Sequence, residues 1–279
     1  MPRSVRSPRA ARRLLDRIAR GRRVARAACA EDLSVFEGRT AAEVEWALAG
    51  RRVEGVHRRG KYLWLELDRG PHPVVHLGMT GTWRYPGDAP LKLSSSPRAV
   101  DRAWPPRFTK LTLELDDGAE LAFTNARRLG RFLLRDDPAR EPPIAKLGFD
   151  ALLEVPSELE FRARLSRRRG VIKGLLLDQT FAAGVGNWIA DEVLYQAGID
   201  PRRRVESLSA AEVEALRAQL EHVVAVAVAV DARKEGLPVN WLFHRRWGKD
   251  KGAKTEAGER VEHITVAGRT TAWVPSAQR

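Results

Sequence analysis

The segment GVGNW, residues 184–188, combines residue types that can bind a phosphate group. Two glycines permit a tight turn because glycine tolerates positive φ, and a run with helical apolar spacing, NWIADEVLYQAGI, begins at Asn187. Unpaired N–H groups at a helix start bind anions, and the asparagine amide can add a donor. The turn lacks the Lys and Ser/Thr of a P-loop. Two interpretations therefore stay open, a phosphate site and an ordinary turn between two helices.

The charge of the chain favours a polyanionic partner. Forty-nine Lys and Arg against 36 Asp and Glu leave a formal net charge of +13 at pH 7, and a basic surface attracts nucleic acid above all. An Ala- and Arg-rich composition is also what a GC-rich genome produces, so this second explanation of the charge stays open.

Cysteine content and hydropathy limit the class of protein. A single cysteine, Cys29, excludes an internal disulfide and a multi-cysteine zinc site, and we expect no metal and no cofactor. We expect an intracellular protein, located in the nucleus of a eukaryote or in the cytoplasm of a bacterium. No apolar run approaches the ~18 residues of a membrane span, so we expect no membrane contact.

The first half of the chain is predicted to be a helix followed by antiparallel strands. The segment RAARRLLDRIARG has helical apolar spacing. Segments that alternate apolar and polar residues follow it: VEGVHRRGKYLWLELD, PVVHLGMTGTWRYPG, TKLTLELDDGAELAFTN and RLGRFLLRDDP. The pattern predicts a two-layer β domain over residues 1–138.

The second half is predicted to be helical. Residues 139–150 are rich in proline and typical of a hinge. Over residues 151–279, apolar residues repeat every three to four positions, including a predicted helix over VIKGLLLDQTF, residues 171–181, and N-caps are expected at Ser157, Ser209 and Asn187. The segments HITVAG and TTAWVP predict a small hairpin near the end. The fold class is therefore predicted to be α+β, with an antiparallel β-sandwich and flanking helices followed by a helical domain.

The residues IKGLLLDQTFAAGVGNWIADEVLYQAGIDP resemble the helix-two-turns-helix motif of the formamidopyrimidine-DNA glycosylase family, bifunctional enzymes that remove oxidised purines from DNA. The resemblance extends to RRGKYLWLEL, VVHLGMTGT, LELDDGAELAFTNARRLGRF and LGFDALLE. In addition, NWLFHRR and ITVAGRTTAWVP resemble the plant and fungal branch of the family. That branch carries a zincless β-hairpin finger, here expected at about residues 240–279.

The resemblance implies a clamp on the DNA backbone. Its members are Lys61, His76, Lys173, Gly186, Asn187 and Arg269. Asn187 and the backbone of Gly186 would hold a phosphate beside the lesion. Lys61, implied as a catalytic residue together with Pro2, would hold another phosphate. Arg269 would contact this region from the hairpin. Such contacts position the DNA without reading its sequence. Taken singly, each lysine or arginine is also typical of a solvated surface charge.

The resemblance also implies three residues that fill the space left by an extruded base. Met79 and Arg127 match the family's methionine and arginine, and Leu129 stands where the family has phenylalanine. Leucine can still wedge between base steps, but it lacks the aromatic face on which a base stacks. Core packing is the alternative for Met79 and Leu129.

The start of the chain departs from the family. Family members attack the sugar with the amine of an N-terminal proline, and a glutamate follows that proline as the acid–base group. Pro2 is available as this nucleophile after removal of Met1, but the next residue is Arg3. A guanidinium keeps its proton near neutrality, so Arg3 cannot replace the carboxylate. The nearest acidic residue in the sequence is Asp16.

The codons behind these residues offer an explanation of the departure. Without gaps, the family's opening Pro-Glu-x-Pro-Glu aligns with residues 3–7, RSVRS. The codons CGG-AGY-GTC-CGG-AGY behind CCC would spell Pro-Glu-Arg-Pro-Glu in the adjacent reading frame when the Ser4 codon is AGC. We therefore hypothesise a frame error or misplaced exon boundary, which the nucleotide sequence tests.

Three functions follow from these observations. The first is a glycosylase with lyase activity, excising 8-oxoguanine and formamidopyrimidines as a monomer from double-stranded DNA that holds a damaged base or abasic site. The second is a weakened relative that only binds damaged or abasic DNA. The third is an RNA- or ribosome-binding protein, for which intact and damaged duplexes would bind equally at the same salt.

Overall fold

The structure is a computed structural model that describes residues 7–88, 103–247 and 252–279. Pro2 and Arg3, which carry the predicted amine chemistry, lie outside the described residues. The chain divides into two compact units, Met1–Lys146 and Leu147–Arg279.

The first unit begins with helix α1, Pro8–Ala19. The Ser7 hydroxyl accepts a hydrogen bond from the Ala10 N–H at 3.1 Å, and Pro8 occupies the first turn, where its missing N–H costs nothing. Leu14 and Leu15 lie on the buried face of α1. The helix predicted from the RAARRLLDRIARG spacing is confirmed.

Two antiparallel four-stranded sheets form the body of the first unit. The strands and one further helix are β1 Val24–Cys29, α2 Ala41–Leu48, β2 Val53–Arg59, β3 Tyr62–Leu67, β4 His72–His76, β5 Thr82–Arg84, β6 Thr109–Leu115, β7 Glu120–Thr124 and β8 Arg131–Arg135. The strand orders are β1-β6-β7-β5 and β2-β3-β4-β8. One apolar core contains inward residues from both sheets, among them Leu63, Val75, Leu113 and Phe123. The predicted β-sandwich is confirmed.

The second unit is mainly helical. Its elements are β9 Phe149–Asp150, α3 Glu158–Ser166, α4 Ile172–Leu177, β10 Ala182–Ala183, α5 Asn187–Gln196, α6 Ala210–Ala229, β11 Glu262–Val266 and β12 Arg269–Trp273. Ser157 and Ser209 cap α3 and α6 in capping boxes, as predicted. The strands β11 and β12 pair as the predicted antiparallel hairpin. Within the described ranges, no helix is both long and apolar enough to span a membrane.

Two local predictions around the glycine turn were wrong. The N-cap of α5 is Gly186, with φ −109°, and Asn187 is the first helical residue, so only Gly184, at φ +102°, uses positive φ. In addition, α4 ends at Leu177, whereas the apolar spacing predicted a helix through residue 181. The helix stops there because the Asp178 carboxylate accepts hydrogen bonds from the Thr180 N–H and hydroxyl.

Candidate nucleic-acid interface

One end of the β2-β3-β4-β8 sheet gathers three basic residues. Lys61 lies in the turn between β2 and β3, half-buried, and His76 is the last residue of β4. His76 pairs across the sheet with Tyr62 on one side and with Arg131 on the other. Lys61 and Arg131 are close enough to His76 for their charges to lower its pKa. This sheet end therefore presents positive charge suited to a phosphate.

His76 is neutral at physiological pH. Burial lowers the pKa of its imidazole to about 4, and the charges of Lys61 and Arg131 act in the same direction. The backbone N–H of Gly78 donates to Nδ1 at 3.2 Å, so the ring proton is on Nε2. His76 can therefore offer one neutral N–H donor to a phosphate without contributing charge.

The neutral state of the His76 imidazole predicts how DNA binding depends on pH. We expect the imidazole to titrate near pH 4 by nuclear magnetic resonance, and His76→Gln to weaken DNA binding by the same factor at pH 6 and pH 8. An imidazole with the ordinary pKa of about 6.5 would instead gain a charge on acidification, and the factor would rise toward pH 6. A rising factor would contradict the neutral state.

Two interlocked loops follow this sheet end. Residues 77–81 leave β4, and residues 125–130 lead into β8. A methyl group at Gly78 would lie 2.6 Å from the carbonyl carbon of Leu129, and one at Gly130 would lie 2.9 Å from the carbonyl oxygen of His76. The Arg127 N–H donates to the Thr80 hydroxyl at 3.2 Å. The glycines thus allow the two loop backbones to approach more closely than any side chain would permit.

The interlocked loops bring together the three residues implied to fill the DNA stack. Met79 is 65% exposed and Leu129 is 45% exposed, and Arg127 is also exposed. Since large apolar residues normally lie inside, two exposed ones on touching loops mark a contact surface rather than core. Core packing is therefore excluded for Met79 and Leu129.

In the second unit, the start of α5 contacts the β11-β12 hairpin. The Asn187 side-chain amide donates to the carbonyl oxygen of Thr270 at 2.8 Å. That amide has a second N–H, and the backbone N–H groups at the helix start add further donors. Asn187 therefore can bind an anion while it holds the hairpin.

Arg269 is placed by the hairpin turn. Ala267 and Gly268, both with positive φ, form the two-residue turn, a geometry that matches the twist of antiparallel strands. Arg269 is the first residue of β12 and is exposed. It precedes Thr270, whose carbonyl accepts from Asn187, so the hairpin backbone at Arg269 lies next to the start of α5.

Lys173 lies inside the second unit. It is fully buried, and its ammonium contacts Asp191 Oδ1 at 2.5 Å and the hydroxyl of Thr271 at 2.5 Å. Burial lowers the pKa of Lys173 more than the attraction of Asp191 raises it. The structure thus places Lys173 beneath the hairpin, although the resemblance implies a phosphate contact.

Asp191 is the residue that joins these elements, and the sequence reasoning missed it. Its carboxylate also accepts from Arg246 Nη2 at 2.6 Å and from the Ala272 N–H at 3.2 Å, linking α4, α5, β12 and the segment before the hairpin. An available signal was the acidic pair Asp191 and Glu192 within the apolar spacing of α5, where a buried charge must be paired. Arg131 was also missed, because it lies in a strand pattern typical of an ordinary sheet.

The described ranges contain no group of three or more His, Cys, Asp or Glu side chains that could hold a metal ion. In the hairpin region, a small apolar cluster that includes Leu242, Val261 and Val274 lies alongside the Asp191 contacts. The apolar contacts and the hydrogen bonds of Asp191 hold the described part of the hairpin to the helices.

The interlocked glycine loops and the basic sheet end of the first unit, and the start of α5 with its hairpin in the second, are the features suited to contact DNA. Family models match most of the chain: the formamidopyrimidine-DNA glycosylase N-terminal domain over residues 9–132 and the H2TH domain of the same enzymes over residues 147–237. The chain belongs to the formamidopyrimidine-DNA glycosylase family, whose members act in the repair of damaged bases, and the predicted membership is confirmed.

Curated relatives and solved structures agree with this assignment. The chain is 40% identical over 270 residues to the formamidopyrimidine-DNA glycosylase of Arabidopsis thaliana, covering 97% of this chain and 69% of that protein. It is 34% identical to the Thermomicrobium roseum enzyme, covering 84% and 86%. The Lactococcus lactis enzyme bound to DNA with an abasic site has a TM-score of 0.77 at 25% identity, covering 96% of both chains.

Proposed function

We propose that the protein is a bifunctional DNA glycosylase and abasic-site lyase that excises oxidised purines, 8-oxoguanine and formamidopyrimidines, from double-stranded DNA. It would act as a monomer, in the nucleus of a eukaryote or the cytoplasm of a bacterium. Family membership supports the glycosylase activity. The Lactococcus lactis relative is described bound to DNA that contains a formamidopyrimidine lesion, at a TM-score of 0.77.

The observation that carries this proposal is the pair of interlocked loops. An enzyme that acts on a base must rotate it out of the duplex, and the remaining space must be filled. Met79 and Leu129 provide exposed apolar side chains, and Arg127 provides a donor for the base left unpaired. Leu129 fills space by shape alone, because it has no aromatic face.

Phosphate contacts would hold the DNA for this step. In the first unit, Lys61 and the neutral His76 would contact the backbone next to the reacting sugar. In the second unit, Asn187, the N–H groups that follow Gly186, and Arg269 would do the same. Lys173 would act beneath them, by holding the hairpin through Asp191 and Thr271.

The chemistry is proposed for the amine of Pro2. After removal of Met1, its nitrogen lone pair attacks the anomeric carbon of the sugar, and the bond from that carbon to the base breaks. The sugar ring opens to an iminium, and loss of a proton from the neighbouring carbon expels the 3′ phosphate by β-elimination. Both steps require a group that moves protons, and Lys61 would stabilise the phosphate beside the sugar.

A second candidate is a relative that binds damaged or abasic DNA and cleaves it slowly. The observation that favours it is Arg3, which directly follows Pro2, whereas in the family a glutamate follows the N-terminal proline. This candidate keeps the phosphate contacts and the wedge, which consists of the side chains of Met79, Arg127 and Leu129. It loses only proton transfer.

Borohydride trapping tests the two candidates. An active amine is expected to form a covalent adduct with an abasic or 8-oxoguanine duplex, and no adduct with an intact duplex. The matched control is the same chain with a short peptide fused before Pro2, which moves the amine away from the sugar. Absence of an adduct, together with tighter binding of the abasic duplex than of the intact one at equal salt, would support the binder. Equal binding of both duplexes would overturn both candidates.

A further inference from the structure

The loop that carries Arg127 and Leu129 is held by one buried carboxylate. Asp32, only 4% exposed, lies just after β1. It accepts hydrogen bonds from Nε and Nη2 of Arg128, both at 2.9 Å, and from Nζ of Lys110 at 2.8 Å. Arg128 lies between Arg127 and Leu129 in the sequence, so its bidentate pair with Asp32 anchors the loop at its centre.

Asp32 is charged at every pH at which DNA repair could occur. Burial alone would raise the pKa of its carboxyl, but the hydrogen bonds from Arg128 and Lys110 outweigh burial and hold the pKa at about 2. The anchor therefore does not loosen on mild acidification.

The backbone at Arg128 needs such an anchor. Its φ of +54° lies in the left-handed region, which is unfavourable for a residue other than glycine. Two hydrogen bonds brace it: the Arg128 N–H donates to the Asn125 carbonyl at 3.3 Å, and Arg131 donates to the Arg128 carbonyl at 3.2 Å. A strained residue persists only where its surroundings fix it, and here the ion pair with Asp32 does so.

We propose that Asp32 is a positioning residue for the wedge: through its bidentate pair with Arg128 it presets the loop, so that Arg127 and Leu129 fill the stack without rearrangement. This inference rests on the proposed function of the two loops. It also assigns different roles to two adjacent exposed arginines. The Arg128 guanidinium is committed to Asp32 and is not a phosphate contact, whereas Arg127 is the residue presented to DNA.

The test compares Asp32→Asn, Arg128→Gln and the double variant with wild type. The DNA carries a tetrahydrofuran abasic analogue opposite 2-aminopurine, whose fluorescence reports unstacking. We expect each single variant to bind this duplex on the order of tenfold more weakly and with a smaller fluorescence change. The double variant should be no worse than the singles, because one interaction is lost in all three. Binding of intact duplex should change less than twofold.

The salt dependence of binding and a surface control variant distinguish a positioning role of Asp32 and Arg128 from a direct phosphate contact. If Arg128 contacted a phosphate, Arg128→Gln would lower the log–log salt slope for intact duplex by about 0.9; we expect no change. Asp117→Asn, in the exposed pair with Arg22, should behave as wild type. Full abasic affinity and fluorescence in Asp32→Asn would overturn the inference, as would equal loss for intact and abasic duplexes. If wild type itself does not prefer the abasic duplex, the proposed function fails instead.

Discussion

Replacing Arg3 with glutamate is expected to raise the single-turnover rate of abasic-strand cleavage by about 10²-fold, the low end of what a positioned acid–base group contributes. The reason is chemical: the proposed amine of Pro2 can attack the sugar, but proton transfer to and from the sugar needs a carboxylate that this sequence replaces with a guanidinium. The measurement is quenched cleavage of a labelled abasic duplex under excess protein, with borohydride trapping in parallel.

Arg3→Gln is the matched control, because it removes the positive charge without supplying a carboxylate. We expect it to stay within about threefold of wild type, since an amide transfers no protons near neutral pH. Equal gains in both variants would show that the charge of Arg3, and not the missing carboxylate, limits the rate. If neither variant cleaves the abasic strand faster than wild type, the second candidate function, binding of damaged DNA without efficient cleavage, is favoured. Intact mass should confirm in each sample that Pro2 is the first residue.

Replacing Asp191 with alanine is expected to lower the free energy of unfolding of the second unit by about 3–5 kcal/mol, because it leaves two buried cations without their counter-charge. Lys173 is fully buried, and the Arg246 side chain is only 7% exposed. Denaturant unfolding measures the loss of stability. If the alanine variant does not fold, Asp191→Asn removes the charge and keeps the shape of the side chain.

Glu221→Gln provides the comparison for Asp191. Glu221 pairs with Arg217 along the surface of α6 at 3.4 Å and is 57% exposed. Exposed pairs of this kind contribute about 0.3–0.5 kcal/mol, so the control should be almost neutral. Adding Lys173→Met to Asp191→Asn should recover part of the loss, since the unpaired buried charge is then removed. A loss at Asp191 no larger than at Glu221 would contradict the structural role given to the carboxylate.

Much of the fold could be predicted because local pattern and tertiary burial agree. The alternation in YLWLEL matches the alternation of buried and more exposed positions along β3. The end of α4 could not be predicted in this way. Its apolar spacing continues to Phe181, but the hydrogen bonds of Asp178 stop the helix, and Ala182–Ala183 pair with β9 instead. A side chain that accepts backbone hydrogen bonds can end a helix, and the spacing of apolar residues does not reveal this.

Several residues that the resemblance singled out lie near one another, while their roles stay predictions. Met79, Arg127 and Leu129 are on touching loops, and Asn187 contacts the carbonyl of Thr270, next to Arg269. Lys173 shows where sequence reasoning fails. A lysine in IKGLLL is typical of a helix surface, and its burial is decided by Asp191 and Thr271, which are 18 and 98 residues further along the chain. Asp32 and Arg128 meet across 96 residues for the same reason.

The close backbone approach at Gly78 and Gly130 restricts how this enzyme can be redesigned. A methyl group at Gly78 would meet the Leu129 backbone, and a methyl group at Gly130 would come within 1.8 Å of the Asn125 amide nitrogen. A segment grafted into either loop must therefore keep its glycine, or the facing loop must change with it. The exposed side chains of Met79 and Leu129 can be exchanged without changing this backbone contact.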